Sequence, residues 1–222
     1  MVLLFDIDGT LLQSHGVGRR SVTAALEDVV GASYDFSDLP FSGKTDPQIF
    51  REVLEGAVDA GLEADPTAVD AFREAYVRHM EAGLPHATVE DLPGAVDLVH
   101  RLHADRVTLG LLTGNVETIA YDKIDRIGLG RDVFPFGAFG SDHHSRNELP
   151  AIGAHRASEH TGRVLEGGDV VIIGDTPRDI ECARAFGAVA VAVATGHYSV
   201  DDLEDADVVL ETLEAFDLGA VA

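Results

Sequence analysis

One ten-residue stretch near the start of the chain, Leu3 to Leu12, constrains the fold more than any other. It reads Leu-Leu-Phe-Asp-Ile-Asp-Gly-Thr-Leu-Leu, an apolar run that ends at two carboxylates, a glycine and a hydroxyl. A short apolar run bounded by a turn signal predicts a strand that is buried on both faces. Because strand side chains alternate, we expect Asp6 and Asp8 to point the same way. Neighbouring buried acids repel each other, so we expect a cation and a chemical function to compensate for them.

The rest of the chain shows two different patterns. Residues 15–86 contain three predicted helices, at residues 17–30, from Asp46-Pro47 with Asp46 as the N-cap, and after Asp65-Pro66. From residue 94 onward, predicted helices and strands alternate, which is typical of a parallel, doubly wound sheet. The predicted strands are residues 2–6, 107–113, 136–139, 169–174, 189–194 and 208–210, and the helices between them are residues 94–104, 117–128, 149–160 and 178–186.

These patterns predict the fold class and the domains. We expect an α/β protein with a doubly wound parallel core, formed by residues 1–14 and 87–222. An all-helical insert at residues 15–86 follows the first strand.

Composition excludes several classes of partner. A net charge of −23, with only 16 lysines and arginines, argues against nucleic acid. No stretch reaches the roughly 18 consecutive apolar residues of a membrane span. Residues 1–12 lack the basic leader of a signal peptide, and the single cysteine, Cys182, excludes an internal disulfide, so we expect a cytoplasmic monomer or dimer. The acidic, lysine-poor composition also suggests adaptation to concentrated salt. The alternative is an ordinary acidic cytosolic protein from a genome biased toward arginine.

The predicted strand ends carry the chemistry, since ligands of parallel sheets bind beyond the carboxyl ends of the strands. Asp6, ionised at neutral pH, is a competent nucleophile for aspartyl-phosphate formation. Asp8 is expected to have a raised pKa beside another carboxylate and a bound phosphoryl group, and therefore to act as the acid and then as the base. Asp175 adds a second hard oxygen ligand, which makes Mg²⁺ the natural cation. Thr113 and the Gly114 amide are placed to bind phosphoryl oxygens.

In this order, the residues resemble the haloacid dehalogenase-like superfamily, specifically its phosphoglycolate phosphatase-like enzymes with a helical cap after the first core strand. The matching segments are Asp6-Ile7-Asp8-Gly9-Thr10, Leu112-Thr113-Gly114-Asn115 and Gly174-Asp175-Thr176-Pro177-Arg178-Asp179. The resemblance implies that Asp6 is the nucleophile and Asp8 the acid/base. It also implies that Mg²⁺ is held by Asp6, the Asp8 carbonyl and Asp175, with Asp179 supporting the metal shell, and that Thr113 binds phosphate.

The sequence departs from the family at one position. The lysine that usually precedes the helix before the fourth motif is absent from residues 141–150, where Arg146 is the obvious replacement. Arginine keeps its charge and binds phosphate in a bidentate fork, so we expect Arg146 to contact the phosphoryl oxygens and Asp6. A surface role for Arg146 is the alternative.

Several other residues have more than one interpretation. Lys44 and Thr45, in the insert, either contact the non-reacting part of the substrate or only cap a helix. Asn115 either caps a helix or touches the substrate. Lys123 is interpreted as a surface residue, and Cys182 as a structural residue facing the core.

The sequence therefore predicts a Mg²⁺-dependent phosphatase acting on a small-molecule phosphate monoester, of the phosphoglycolate or sugar phosphate type. A phosphomutase of the same family is the first alternative. A non-catalytic phosphate-binding or phospho-aspartate signalling protein is an alternative of a different class.

Overall fold

The computed structural model describes residues 1–221, and its centre is a six-stranded parallel sheet. In chain order the strands of the whole structure are β1 (Val2–Phe5), β2 (Leu12–Gln13), β3 (Glu90–Asp91), β4 (Thr108–Thr113), β5 (Gly137–Phe139), β6 (Val170–Gly174), β7 (Val189–Val193) and β8 (Val208–Leu210). The sheet has the order β5-β4-β1-β6-β7-β8, and every neighbouring pair is parallel. The predicted α/β fold with a parallel sheet is confirmed.

Strand β1 lies in the middle of this sheet because its residues are apolar on both faces. All four of its residues are fully buried. Leu3 and Phe5 belong to the hydrophobic cluster on one face, whereas Val2 and Leu4 belong to the cluster on the other. Phe5 is paired with residues of both β4 and β6, so the residue that follows it, Asp6, emerges at the centre of the carboxyl edge.

Four helices cover the two faces of the sheet. They are α4 (Ala95–Ala104) and α5 (Glu117–Asp125) on one face, and α6 (Leu149–Thr161) and α7 (Pro177–Phe186) on the other. This arrangement is doubly wound, as predicted. The single cysteine, Cys182 on α7, is fully buried against the sheet.

Three further helices form what we call the helical block: α1 (Val17–Val30), α2 (Asp46–Asp59) and α3 (Val69–Gly83). They share a hydrophobic cluster in which the rings of Phe50 and Phe72 stack with their centroids 5.1 Å apart. Val116 and Ile119, from the start of α5, join the same cluster and therefore connect the block to the sheet. The assignment of residues 15–86 to a separate cap domain stays a prediction.

Local details differ from the sequence-based expectations in three places. The short antiparallel pair β2–β3, which joins the two chain segments entering and leaving the helical block, was not predicted because two-residue strands have no detectable period. The N-cap of α2 is Thr45, not Asp46, because the Thr45 hydroxyl accepts the Gln48 amide. The helix predicted over 117–128 ends at Asp125.

Within residues 1–221, no helix combines the length and the hydropathy that crossing a membrane requires.

Candidate active site

Three aspartates meet at the carboxyl edge of the sheet. Asp6 follows β1, Asp175 follows β6, and Asp179 lies in the first turn of α7. All three are buried, and one carboxylate oxygen from each lies within 4.8 Å of the other two. Asp6 and Asp175 are 169 residues apart in the sequence. The parallel sheet brings them together, as the positions of the strand ends predict.

The position of Asp175 depends on two glycines. A Cβ atom added to Gly9 would lie 2.2 Å from the Asp175 Oδ2 atom, and one added to Gly196 would lie 1.7 Å from it. The Thr10 hydroxyl donates a hydrogen bond of 3.3 Å to the Asp175 Oδ1 atom. Any side chain at either glycine would therefore displace this carboxylate from the group of acids.

The surroundings of Asp175 fit a bound cation. Burial, together with the negative charges of Asp179 and Asp6, raises the pKa of Asp175 well above its usual value. Four carboxylates meet here if Asp8 is included, while Arg146 and Lys123 supply only two positive charges. A divalent cation would balance the excess of negative charge, and oxygen ligands of this type suit such an ion. Asp6 and Asp175 are the carboxylates best placed to hold it.

Arg146 is buried and contacts both Asp6 and Asp179. It begins a short 3₁₀ turn before α6, is 5% exposed, and places its Nη2 atom 3.0 Å from the Asp6 Oδ2 atom. The same nitrogen donates to the Asp179 Oδ1 atom. Among the described residues, the Arg146 Nε atom is the single buried side-chain nitrogen or oxygen without a hydrogen-bond partner. A surface role for Arg146 is therefore excluded.

Asp179 has a second function in the fold. Its Oδ2 atom accepts hydrogen bonds from the Thr176 amide at 3.0 Å and the Thr176 hydroxyl at 2.7 Å, which caps the start of α7. Because both of its oxygens are already bonded, Asp179 orients Arg146 and α7 and is less available to an ion than Asp6 or Asp175.

Asp6 carries the charge that a nucleophile needs. Burial raises its pKa to about 6, although the nearby Arg146 guanidinium opposes the rise. At neutral pH the carboxylate is therefore mostly ionised, as the sequence predicted.

Asp8 has partners that the sequence did not reveal. Its Oδ2 atom accepts hydrogen bonds from the Lys123 ammonium at 2.6 Å and from the Asn115 amide at 2.8 Å, and its Oδ1 atom accepts one from the Ser14 hydroxyl at 3.3 Å. The interpretation of Lys123 as a surface residue is wrong: it is 4% exposed and also donates to Asn115. Lys123 lies four residues after Ile119 on the apolar face of α5, and this spacing is the sequence feature that indicates its burial.

The expected rise in the pKa of Asp8 is wrong for the protein without substrate. Burial tends to raise this pKa, but the charge and hydrogen bond of Lys123, together with the bonds from Asn115 and Ser14, lower it below the usual value. The Asp8 carboxyl is therefore charged at neutral pH in the protein without substrate.

The loop after β4 joins the helical block to the sheet. The Thr113 hydroxyl accepts a hydrogen bond of 2.8 Å from the Asn115 side chain. Gly114 has no room for a side chain, since a Cβ atom would lie 2.1 Å from the Lys44 carbonyl oxygen, and its own carbonyl accepts the Asp46 amide at 2.7 Å. Glycine at this position therefore permits the helical block to approach the loop after β4.

Two residues expected to touch the substrate, Lys44 and Thr45, have partners within the protein. The Lys44 ammonium pairs with Glu52 on α2. The Thr45 hydroxyl donates to the His144 carbonyl at 2.6 Å, besides capping α2, and Thr45 is fully buried. Lys44 lines the cavity described next. Thr45 instead connects the helical block to the segment that follows β5.

A cavity of about 510 Å³ lies between the sheet edge and the helical block. Its sheet wall is formed by residues that include Asp6, Asp8, Thr113, Arg146 and Asp175. Its helical wall is formed by residues that include Arg19, Phe41, Lys44, Asp46 and Tyr76. The volume lies in the range of small-molecule sites and exceeds what a phosphate group alone would fill.

Comparison with known proteins agrees with this geometry. The family model described as haloacid dehalogenase-like hydrolase matches residues 1–187. The chain is 29% identical to validoxylamine A 7'-phosphate phosphatase of Streptomyces hygroscopicus subsp. limoneus, over 96% of this chain and 93% of that protein. It is 26% identical to phosphoglycolate phosphatase 1 of Pseudomonas aeruginosa, over 88% of this chain and 70% of that protein.

Solved structures show the same fold. The structure of CbbY from Rhodobacter sphaeroides in complex with phosphate superposes with a TM-score of 0.77 at 15% identity, covering 99% of this chain and 98% of that one. The two curated relatives are phosphatases, in agreement with the predicted enzyme class, a phosphoric monoester hydrolase. The match over residues 1–187, with its motif residues gathered at one sheet edge, shows that the chain belongs to the haloacid dehalogenase-like hydrolase family.

Proposed function

We propose that this hydrolase is a Mg²⁺-dependent phosphatase that cleaves a small-molecule phosphate monoester, of the phosphoglycolate or sugar phosphate type, through an aspartyl-phosphate on Asp6. The observation that supports it most is the convergence of Asp6, Asp175 and Arg146. A nucleophilic carboxylate, a second acid and a buried cation meet at the floor of one cavity. This combination suits the transfer of a phosphoryl group to Asp6.

In the first step, an Asp6 oxygen forms a bond to phosphorus while the bond from phosphorus to the leaving oxygen breaks. Asp8 donates a proton to that leaving oxygen. Because Asp8 is charged at rest, the proton arrives with the substrate, whose phosphate has a second pKa near about 6. Lys123 and Asn115 hold the Asp8 carboxylate in place for this transfer.

In the second step, Asp8 accepts a proton from a water molecule, and the water oxygen bonds to phosphorus as the bond to Asp6 breaks. The lowered pKa of Asp8 suits this half of the reaction, because the charged form is the base. The reaction releases inorganic phosphate and regenerates the Asp6 carboxylate.

The transferred group is held by the surrounding residues. Arg146, the Thr113 hydroxyl and the Gly114 amide would bind its oxygens, and Lys44 would lie toward the rest of the substrate. Asp6, the Asp8 carbonyl and Asp175 would hold Mg²⁺, supported by Asp179, and the ion would neutralise the charge that develops on the phosphoryl oxygens. The helical insert, residues 15–86, would exclude water while Asp6 attacks.

Phosphate release from a panel of phosphorylated metabolites, with and without Mg²⁺, tests this function. We expect release that depends on Mg²⁺ and falls at least about 1,000-fold in Asp6→Asn, because the amide cannot attack phosphorus. Asp142→Asn is the matched control, since Asp142 follows β5 at the same edge but pairs with Arg156. Turnover retained by Asp6→Asn contradicts the proposal, and turnover that requires a sugar bisphosphate indicates a phosphomutase instead.

A further inference from the structure

We infer that the helical wall of the cavity selects phosphate monoesters whose remaining part carries hydroxyl groups and no second negative charge. Tyr76 and Asp46 are the residues that would contact those hydroxyls. The inference rests on the proposed function, and it favours the sugar phosphate type over phosphoglycolate.

The first observation concerns Tyr76 on α3. Tyr76 lines the cavity and is only 2% exposed. Its ring packs on the ring of Phe50, with the two centroids 4.9 Å apart. Two other tyrosines use their hydroxyls within the protein: Tyr34 donates to the Val53 carbonyl and Tyr121 to the Phe134 carbonyl. Within residues 1–221 the Tyr76 hydroxyl has no such partner. Because Tyr76 lines the cavity, a ligand bound there can form a hydrogen bond with this hydroxyl.

The chemical state of Tyr76 makes it a hydrogen-bond donor. Burial and the negative charges of Asp46 and Asp8 raise the pKa of its phenol well above 10. The hydroxyl is therefore protonated at all physiological pH values. It can donate to a substrate hydroxyl and also accept from one.

The second observation concerns Asp46, the first residue of α2. One of its oxygens, Oδ2, accepts the Val116 amide at 2.8 Å, while no described residue donates to the other. Asp46 is 8% exposed and lines the cavity. An unbonded carboxyl oxygen at this position suits a hydroxyl donor, and its partial negative charge repels a substrate carboxylate.

The cations of the helical wall are already occupied. Arg19 donates from Nη1 to the Phe36 carbonyl at 3.0 Å and from Nη2 to the Leu39 carbonyl at 2.8 Å, and its guanidinium lies 4.0 Å from the Phe41 ring centroid. Lys44 is neutralised by Glu52. The wall therefore offers no free bidentate cation to a second anionic group, whereas it offers two unbonded polar oxygens to a hydroxyl.

The test compares kcat/KM for phosphoglycolate with kcat/KM for glucose 6-phosphate, ribose 5-phosphate and glycerol 3-phosphate, in the wild type, Tyr76→Phe and Tyr34→Phe. We expect the best hydroxyl-bearing ester to exceed phosphoglycolate by at least about tenfold in the wild type. Tyr76→Phe should narrow this ratio about 3- to 10-fold through KM, the effect of one hydrogen bond. Tyr34→Phe removes a hydroxyl of the helical block outside the cavity, so it should leave the ratio unchanged.

The other possible outcomes would overturn the inference. Mg²⁺-dependent hydrolysis in which phosphoglycolate equals or exceeds the other esters overturns the inference and leaves the proposed function standing. A ratio unchanged in Tyr76→Phe, or narrowed equally in Tyr34→Phe, also overturns it. Release of phosphate from none of the esters overturns the proposed function and the inference together.

Discussion

The two walls of the cavity differ in the partners of their polar side chains. On the sheet wall, Asp6, Asp8 and Arg146 each contact an oppositely charged partner. On the helical wall, the Tyr76 hydroxyl and one Asp46 oxygen have no partner among residues 1–221.

We interpret this difference between the walls as a division of roles. The sheet wall carries the reacting groups, and the helical wall recognises the rest of the substrate. A reacting group must be held in a fixed orientation before substrate arrives, which a network of charged hydrogen bonds achieves. A group that recognises the variable part of a substrate must keep a donor or acceptor free until binding. On this basis, substitutions in the sheet wall should lower turnover of every substrate, whereas those in the helical wall should change the choice among them.

The largest effect is expected from Arg146. Arg146→Met leaves Asp6 and Asp179 without their buried cation and should lower kcat/KM about 1,000-fold. Arg146→Lys restores the residue that the family usually carries and should stay within about tenfold of the wild type. Steady-state phosphate release measures both. Equal losses in the two variants would show that the guanidinium shape, rather than its charge, is required.

Removal of Lys123 should have the next largest effect. Lys123→Met removes the cation that lowers the pKa of Asp8, so burial raises that pKa and kcat should fall about 100-fold at neutral pH. The acid limb of the pH–kcat profile should move to higher pH, because Asp8 must lose its proton to activate water. Arg131→Met, which removes an exposed cation from the loop after α5, is the control. An unmoved acid limb would contradict the role given to Lys123.

Asp46→Asn should change how the free energy of unfolding depends on pH. Burial raises the pKa of Asp46 to about 7 in the folded protein, from 3.8 when unfolded. The fold therefore favours the neutral form, and the wild type loses stability as pH rises from about 4 to about 7, on the order of 4 kcal/mol in total. Asparagine stays neutral and keeps the oxygen that accepts the Val116 amide.

Urea unfolding of both proteins at about pH 4 and about pH 8 measures this effect. The free energy of unfolding of Asp46→Asn, relative to the wild type, should be higher at pH 8 than at pH 4. The same relative value at both pH values would mean that Asp46 is ionised in the folded protein without cost.

The smallest effect is expected from salt. A net charge of −23 repels an anionic substrate, although Arg146 and the proposed Mg²⁺ would reverse the field locally. Added NaCl screens the repulsion, so kcat/KM should rise about two- to threefold from low ionic strength at fixed Mg²⁺. A steady decline over that range would show that local attraction dominates.

The sequence predicted the sheet wall better than the helical wall. Asp6, Asp8 and Asp175 were accessible to prediction because each follows an apolar strand, and parallel strands bring their ends to one edge. The partners of Lys123 and Asp46 could not be predicted, because they lie 115 and 70 residues away and no local period encodes such pairs. The position of Tyr76 on the inner face of α3 was predictable from helical spacing, but its unbonded hydroxyl was not.

The most direct test of the central claim is the mass of the protein quenched in acid during turnover with Mg²⁺ and its best phosphate ester. We predict that a fraction of the wild type gains the mass of one phosphoryl group, that peptide mapping places it on Asp6, and that Asp6→Asn shows no such species. A phosphoryl group found on another residue, or turnover in which Asp6 never carries one even when Asp8→Asn slows the second step, would contradict the account.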